Sequence, residues 1–292
     1  MNDKLHLKNP FPSVAGVVVL FNPNKDIISN IESYVNQVSE LFIVDNSEME
    51  SAIVKEYVAS NKRINYFFNG ENLGVAAALN IAARKAIEKK YSYLLTMDQD
   101  STAPDQLVEV MLRTAIEYDK AGIVSPLHSN IFKTHQKHIN EGISKVDAVM
   151  TSGNLLSLDA YNSAGVFNED FFIDYVDVEY CLRLKSKGFN IYKVNSIVLE
   201  HKEANISESK ILNRKVYPTN NDPKRIYYKT RNLLYLNSIY RKECPKIVRD
   251  EIRVHIKNLA KILLLEKQKI LKAKMALLGI RDYLIKRKGF KF

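Results

Sequence analysis

Cysteine is scarce: the 292 residues contain two, Cys181 and Cys244, and no CxxC spacing. That excludes a disulfide scaffold, and both read as ordinary reduced residues of a cytosolic protein. No run of about 20 apolar residues occurs, so no helix is expected to span a membrane. Met1 to Pro12 is polar and charged and lacks the apolar segment of a secretory signal. Two phosphate-binding signatures are also missing, GxGxxG and GxxxxGK[ST]. A site for phosphates in this chain would therefore lean on a metal. No internal repeat or low-complexity segment is evident.

What is present suffices for a large core. The chain is 46% hydrophobic, enough for one large domain or one domain with an appendage. Its net charge of +10 is uneven. Arg241 to Phe292 carries 16 Lys and Arg against 5 Asp and Glu, a net +11, which leaves the preceding body at −1. A neutral body with a basic tail points to an anionic partner, either a membrane surface or nucleic acid.

Apolar runs and helical periods alternate along the body. Val14 to Phe21 (VAGVVVLF) reads as a buried strand, broken by Asn22-Pro23-Asn24. Ile27 to Val38 has helical spacing. Leu41 to Val44 is a second strand ending in Asp45, Ile53 to Val58 a helix, and Ile64 to Phe68 a third strand. The Asn69–Gly74 loop, with Asn72, leads into an alanine-rich helix, Val75 to Lys89. Such alternation predicts an α/β fold with a mostly parallel sheet flanked by helices.

Tyr91 to Met97 is a further strand, and it runs straight into Asp98-Gln99-Asp100. Ligands bind at the carboxyl edge of open α/β sheets. Two carboxylates placed there repel each other unless a cation lies between them. Oxygen ligands suit Mg²⁺ or Mn²⁺, which share their coordination with water and substrate phosphates. The plain alternative is a pair of solvated acids in a loop.

The order VVVLFNP, IVDNS, NGENLGVAAALN and LLTMDQDS resembles the inverting glycosyltransferases of family 2, with their GT-A fold, and most closely the bacterial rhamnosyltransferase branch. The resemblance continues through TSGNLLS, FIDYVDVEYCLRLKSKG, LEHKE and RIYYKTRNLLYL, covering roughly Val14 to Tyr240. It implies a nucleotide-sugar donor, with dTDP-L-rhamnose first in line, and inversion at the anomeric carbon. Asp100 would bind Mg²⁺ or Mn²⁺, with Asp98 at the ribose or assisting the metal. Asp45 would meet the nucleobase. Asn22, Asn72, Gly74, Gln99 and Gly153, with Ser152 and Asn154, would lie around the donor. The family's usual Glu-Asp-x-Asp supplies the general base. Aligned through CLR, Asp177 takes the place of that base, Val176 replaces the preceding Glu, and Glu179 takes the last acidic place. Asp174 competes for the base. Acids in a first helical turn also have a capping reading. Arg183 reads as structural or paired with an acid.

The remaining stretches are less specific. Asp119 to Gly142, with His128, His135 and His138, reads as a polar surface loop, although His135 and His138 could pair as metal ligands. Ala148 to Leu158 reads as strand, turn, strand. His201 follows the strand Phe189 to Leu199. A lone histidine is more often structural, but imidazole suits Mn²⁺ and the family places a metal ligand there. Lys202 to Lys224 is expected to be a loop that closes over the donor, and its Asn205 sequon carries no weight in a cytosolic chain. On an aromatic helix from Arg225 to Tyr240, the Arg231-Asn232 pair resembles a family element near the donor phosphates or the acceptor, and a basic side chain there could neutralise the leaving diphosphate.

In the tail, Ile252, Ile256, Leu259, Leu263 and Ile270 recur at helical spacing among lysines, and Met275, Leu278 and Leu284 extend the stripe. Such helices either pack on the body or a second copy, or lie on anionic lipid. The division expected is 1–240 for catalysis and 241–292 for a basic amphipathic appendage. The location expected is cytoplasmic, at the inner face of the membrane, with a lipid-linked glycan as acceptor. Nucleic acid is the weaker partner: acids at successive strand ends would repel its phosphates. A non-catalytic scaffold on the same fold is the third reading.

Overall fold

The computed structural model describes residues 12–129, 142–201, 209–211, 214–218 and 220–292, with the side chains of 201–216 outside that description. His135, His138, Asn205 and part of the expected 202–224 loop (202–208, 212–213 and 219) therefore fall outside the described residues.

The first half is built from right-handed strand–helix units: β1 (Val14–Leu20), α1 (Ile27–Val35), β2 (Glu40–Asp45), α2 (Ala52–Ser60), β3 (Ile64–Phe68), α3 (Val75–Glu88) and β4 (Tyr93–Asp98). These four strands lie in the order β3-β2-β1-β4, every pair parallel. β1 is buried on both faces, as its unbroken β-branched run requires. The register sets Leu20 opposite Asp45 and Val19 opposite Asp98. Both acids therefore end at one edge of the sheet.

The second half mixes directions. It comprises β5 (Ser101–Thr102), α4 (Leu107–Glu117), β6 (Ala121–Ser129), β7 (Ile143–Val146), β8 (Asn154–Ser157), α5 (Leu158–Ala164), a 3-10 turn (Glu169–Phe171), α6 (Val176–Ser186) and β9 (Asn190–His201). β8 runs antiparallel between β4 and β6, β9 is parallel to β6, and β5 and β7 run antiparallel to β9. The sheet is parallel as expected through β4 and mixed beyond it. Helices α1, α2 and α4 cover one face, while α3, α5 and α6 cover the other.

Two segments differ from expectation. The stretch after Asp119 begins with β6, a buried inner strand. Proline is unusual in an inner strand because it lacks the N–H, and the register to β9 jumps at Pro126/Leu127, an irregularity that accommodates it. Of Ala148 to Leu158, only Asn154–Ser157 is strand, because Leu158 opens α5 and the Ser157 hydroxyl caps it through the Ala160 N–H.

Three helices follow a short hairpin, β10 (Ser209–Ile211) with β11 (Arg214–Val216): α7 (Pro223–Tyr240), α8 (Pro245–Leu265) and α9 (Lys269–Leu284). Asp222 caps α7 through the Lys224 N–H, with Pro223 in its first turn. α9 lies close against α7, since a Cβ on Gly279 would stand 2.7 Å from the Tyr227 carbonyl oxygen. α9 packs Met275, Ala276 and Leu278 inward, yet it carries charged residues on that side and apolar ones on the other. Lys272, Gly279 and Asp282 are buried, while Ile270, Leu277 and Leu284 are 75%, 65% and 69% exposed. Lys272 is tolerated inside because Glu266 pairs with it at 2.6 Å. Burial alone would raise the Asp282 carboxyl, but bonds from Lys291, Arg281 and Tyr227 hold it down, to about 2.

The last residues also depart from expectation. By composition Lys286 to Phe292 (KRKGFKF) offers little apolar surface to a core. Instead the Gly289 N–H donates to the Asp170 carbonyl (2.8 Å), Phe290 lies 5.0 Å from the Phe172 ring, and Phe292 lies 5.1 Å from Tyr227. Glycine and aromatic residues near the end make this segment a strap over α7 and the turn before α6.

Candidate active site

At the carboxyl ends of β1 and β4 lies a cleft of about 390 Å³, lined among the described residues by Asn72, Gly74, Asp98, Gln99, Asp100, Asp174, Asp177 and Arg225, with Phe21 and Met150. The structure thus gathers most of the expected residues in one place. Gln99 ties its floor together. Its Oε1 accepts the Phe21 N–H (2.8 Å) and its Nε2 donates to the Phe21 carbonyl (3.2 Å). The Asp98 N–H donates to Ser152 Oγ (3.1 Å), which in turn donates to Ser101 Oγ (2.7 Å). Ser152 and Gly153 thus sit behind the acids, where Gly153 is required: its φ is +76° and a Cβ would meet Leu199 at 2.8 Å.

Asp98 and Asp100 supply carboxylate oxygens. Among the described residues no three His, Cys, Asp or Glu side chains converge on a metal. Two hard oxygen donors nonetheless fit Mg²⁺ or Mn²⁺, whose other positions go to diphosphate and water. The backbone of His201 pairs with Ser101, one residue after Asp100. Its side chain lies outside the description.

Asp45 and Asn22 line the rim rather than the cleft. Asp45 is wholly buried, with Oδ1 accepting the Ser47 N–H (2.9 Å) and Oδ2 the Tyr66 hydroxyl (2.8 Å). Both oxygens are engaged, so it shapes the Asn46–Ser47 turn, and Asn46 is the residue that reaches the cleft. The Asn22 N–H donates to Ser47 Oγ (2.7 Å). Gly74 is held by Asn72 Oδ1 (3.0 Å) and lies so near Phe172 that a Cβ would stand 2.6 Å from its carbonyl oxygen.

The turn into α6 carries the two rival bases. Phe172, Asp174 and Tyr175 all have left-handed backbones, at φ 61°, 61° and 65°. Such strain persists only where the surroundings enforce it. Asn232 does so, donating from Nδ2 to the carbonyls of Phe171 (2.7 Å), Ile173 (2.8 Å) and Asp174 (3.0 Å). Arg231 adds bonds to the carbonyls of Gly289 (2.7 Å) and Asp170 (3.0 Å). Arg231 is fully buried and stays out of the cleft, so it is a clamp and not the expected diphosphate contact. The arginine in the cleft is Arg225, on the same helix.

The two acids differ in state. Asp174 is gripped by Arg225 at 2.6 and 3.2 Å, a two-pronged pair. Asp177 has no cation against it among the described residues and accepts the Val178 N–H (2.8 Å). Burial pushes its carboxyl up to about 6; the Val178 bond opposes this, and Asp174 and Asp98 add to it. Glu179 is occupied elsewhere, paired with Arg183 at 2.8 Å and bonded by the Tyr240 hydroxyl.

Asp177 also borders a second cavity, of about 350 Å³, where His128, Met150, Lys193 and Glu251 are among the lining residues. Glu251 belongs to α8 and accepts a bond from the Tyr175 hydroxyl, so the appendage contributes to the site. The sequence offered little signal for this beyond an acid near the start of a basic helix.

Acids at the strand ends and a cleft between them, on a mixed α/β sheet of GT-A type, are what a sugar-transferring enzyme requires. The chain belongs to glycosyl transferase family 2, whose family model matches residues 17–173, and it is a glycosyltransferase. It is 25% identical to the dTDP-rhamnosyl transferase RfbF of Shigella flexneri over 77% of this chain and 79% of that one. A low-salt glycan biosynthesis hexosyltransferase of Haloferax volcanii is 22% identical over 60% of this chain and 62% of its own. Two solved structures share the fold. The first is S. aureus TarS in complex with UDP-GlcNAc, with TM-score 0.57 and 11% identity over 94% of this chain and 81% of that one. The second is GalNAc-T7 with UDP, GalNAc and Mn²⁺, with TM-score 0.56 and 13% identity over 65% of this chain and 43% of that one.

Proposed function

We propose that this glycosyltransferase moves L-rhamnose from dTDP-L-rhamnose, with inversion, to a hydroxyl of a growing lipid-linked polysaccharide of the cell envelope, using Mg²⁺ or Mn²⁺. The observation that carries the reaction type is Asp177: a half-buried carboxylate with no ion pair among the described residues, between two cavities, with the paired acids Asp98 and Asp100 in one of them. The donor sugar rests on the likeness to RfbF.

Asp98 and Asp100 would hold the cation, which when bound screens the diphosphate and the charge on the leaving oxygen. Gln99, Asn46 and Asn72 would orient the nucleotide. Inversion requires the acceptor hydroxyl to approach from the side opposite the diphosphate, which suits an acceptor seated in the second cavity. Asp177 takes the hydroxyl proton as the new bond to the anomeric carbon forms and the bond to dTDP breaks. Asp174 serves by holding Arg225 toward the cleft, and is the fallback base. Functionally, 1–240 is the catalytic part and 241–292 the basic helical part, working in the cytoplasm at the membrane.

The test is mass spectrometry of products from dTDP-L-rhamnose, UDP-GlcNAc and UDP-galactose with lipid-linked acceptors. Rhamnosylated product is expected. Turnover with a UDP-sugar alone would replace the donor, and no binding of any sugar nucleotide would remove the reading.

A further inference from the structure

α9 packs Met275, Ala276 and Leu278 inward together with the charged pair members Lys272 and Asp282, and leaves a second set of apolar residues exposed on its outer face. Along its outer face run Ile270, Lys274, Leu277, Arg281 and Leu284, at steps of four and three, so they form one stripe. No acid interrupts it; the nearest, Asp282, is buried beneath and shared by Arg281, Arg287 and Lys291. The preceding helix ends in the same manner, with Leu263 54% and Leu264 64% exposed, and the corner continues into Leu271. The outward face of a helix on a globular body is ordinarily polar. Here it carries exposed leucine and isoleucine interleaved with basic residues, a surface that marks a contact site.

We propose that the outer face of α9, with the Leu263–Leu264 corner, docks on an anionic lipid bilayer. The apolar residues enter the boundary between headgroups and acyl chains, and the lysines and arginines meet lipid phosphates. Charge decides between occupants. A second copy offering the same face would set Lys and Arg against Lys and Arg, which is repulsive. Nucleic acid would answer the charge but leave the leucines exposed to water. An anionic bilayer satisfies both. The proposal deepens the membrane part of the function above, and its test needs no turnover.

The experiment is flotation of the full chain with vesicles of phosphatidylcholine alone, and of phosphatidylcholine with an equal part of phosphatidylglycerol. Binding to the anionic vesicles is expected, at least about tenfold stronger than to neutral ones, and falling as salt rises. Leu277→Glu and Ile270→Glu should each weaken it by about tenfold, while the urea midpoint stays unchanged because both positions are exposed. Negligible flotation on both vesicle types would overturn the proposal. So would wild-type flotation of both variants, or a dimer in sedimentation that Leu277→Glu dissolves. Sugar-nucleotide turnover in solution, measured in parallel, separates failure of docking from failure of the enzymatic reading.

Discussion

Replacing Asn232 with alanine removes the clamp on the turn into α6. Asn232 Nδ2 has two hydrogens and serves three carbonyls at 2.7, 2.8 and 3.0 Å, while its Oδ1 accepts from Arg231 Nε at 3.0 Å. Leaving buried acceptors unpaired costs about 1–3 kcal/mol each. Against this, the left-handed residues Phe172, Asp174 and Tyr175 store strain of about 1–3 kcal/mol each, part of which is released when the clamp goes. The two effects oppose each other in stability, so the net loss should be small, about 1–3 kcal/mol in urea unfolding. They act together on geometry, because a relaxed turn displaces Asp177. A displacement of about 1 Å costs about a hundredfold in rate. The expected signature is thus a large fall in kcat with modest destabilisation and nearly unchanged dTDP affinity. An alanine variant that turns over at the wild-type rate would refute the clamp, whatever its stability.

Four further outcomes follow from the site. Because Asp177 must be ionised to accept a proton and burial raises it to about 6, transfer should climb as pH rises through that value and be lost below it. Asp177→Asn should nearly abolish transfer while dTDP binding persists; full activity there, with loss in Asp174→Asn, would move the base to Asp174. Complete metal removal with EDTA should stop turnover, and Asp100→Ala should lower it by about a hundredfold or more in a folded protein; undiminished activity without metal would contradict the role given to the acids. Gly74→Ala, at φ +85° with its Cβ 2.6 Å from Phe172, should destabilise the loop and weaken nucleotide binding, seen as a lower urea midpoint and a raised dTDP dissociation constant.

The first half of the fold was legible because each strand is a short β-branched or aromatic run closed by an acid or asparagine, and each helix has its own period. The edge bearing Asp98 and Asp100 follows from that pattern alone. β6 was not legible, since Pro126 disguises a strand whose register jump makes room for it. On α7, Arg225 and Arg231 are both plausible cleft cations by sequence; only the packing of α9 and the final strap against Tyr227 and Tyr228 shows which is enclosed. For α9 the sequence left two readings open, packing inward or lying on lipid. The stripe divides between them, with Met275 and Leu278 inward and Ile270 and Leu284 outward, because ion pairs let Lys272 and Asp282 share the inner side.

The strap has a consequence for how the enzyme comes into being. Asp170 and Gly289 are bonded to each other, yet ribosomes deliver them far apart in time. The parallel strands can assemble early from local βα units. Until Gly289 and Phe290 emerge, Arg231 lacks one of its carbonyl partners and the ring of Phe172 one of its neighbours. A nascent chain can therefore hold the whole β3-β2-β1-β4 edge, with Asp98 and Asp100 at its end, while the turn that carries Asp174 and Asp177 still lacks part of its support. The order of synthesis thus makes the strap's contribution to that turn the last to arrive among the described residues.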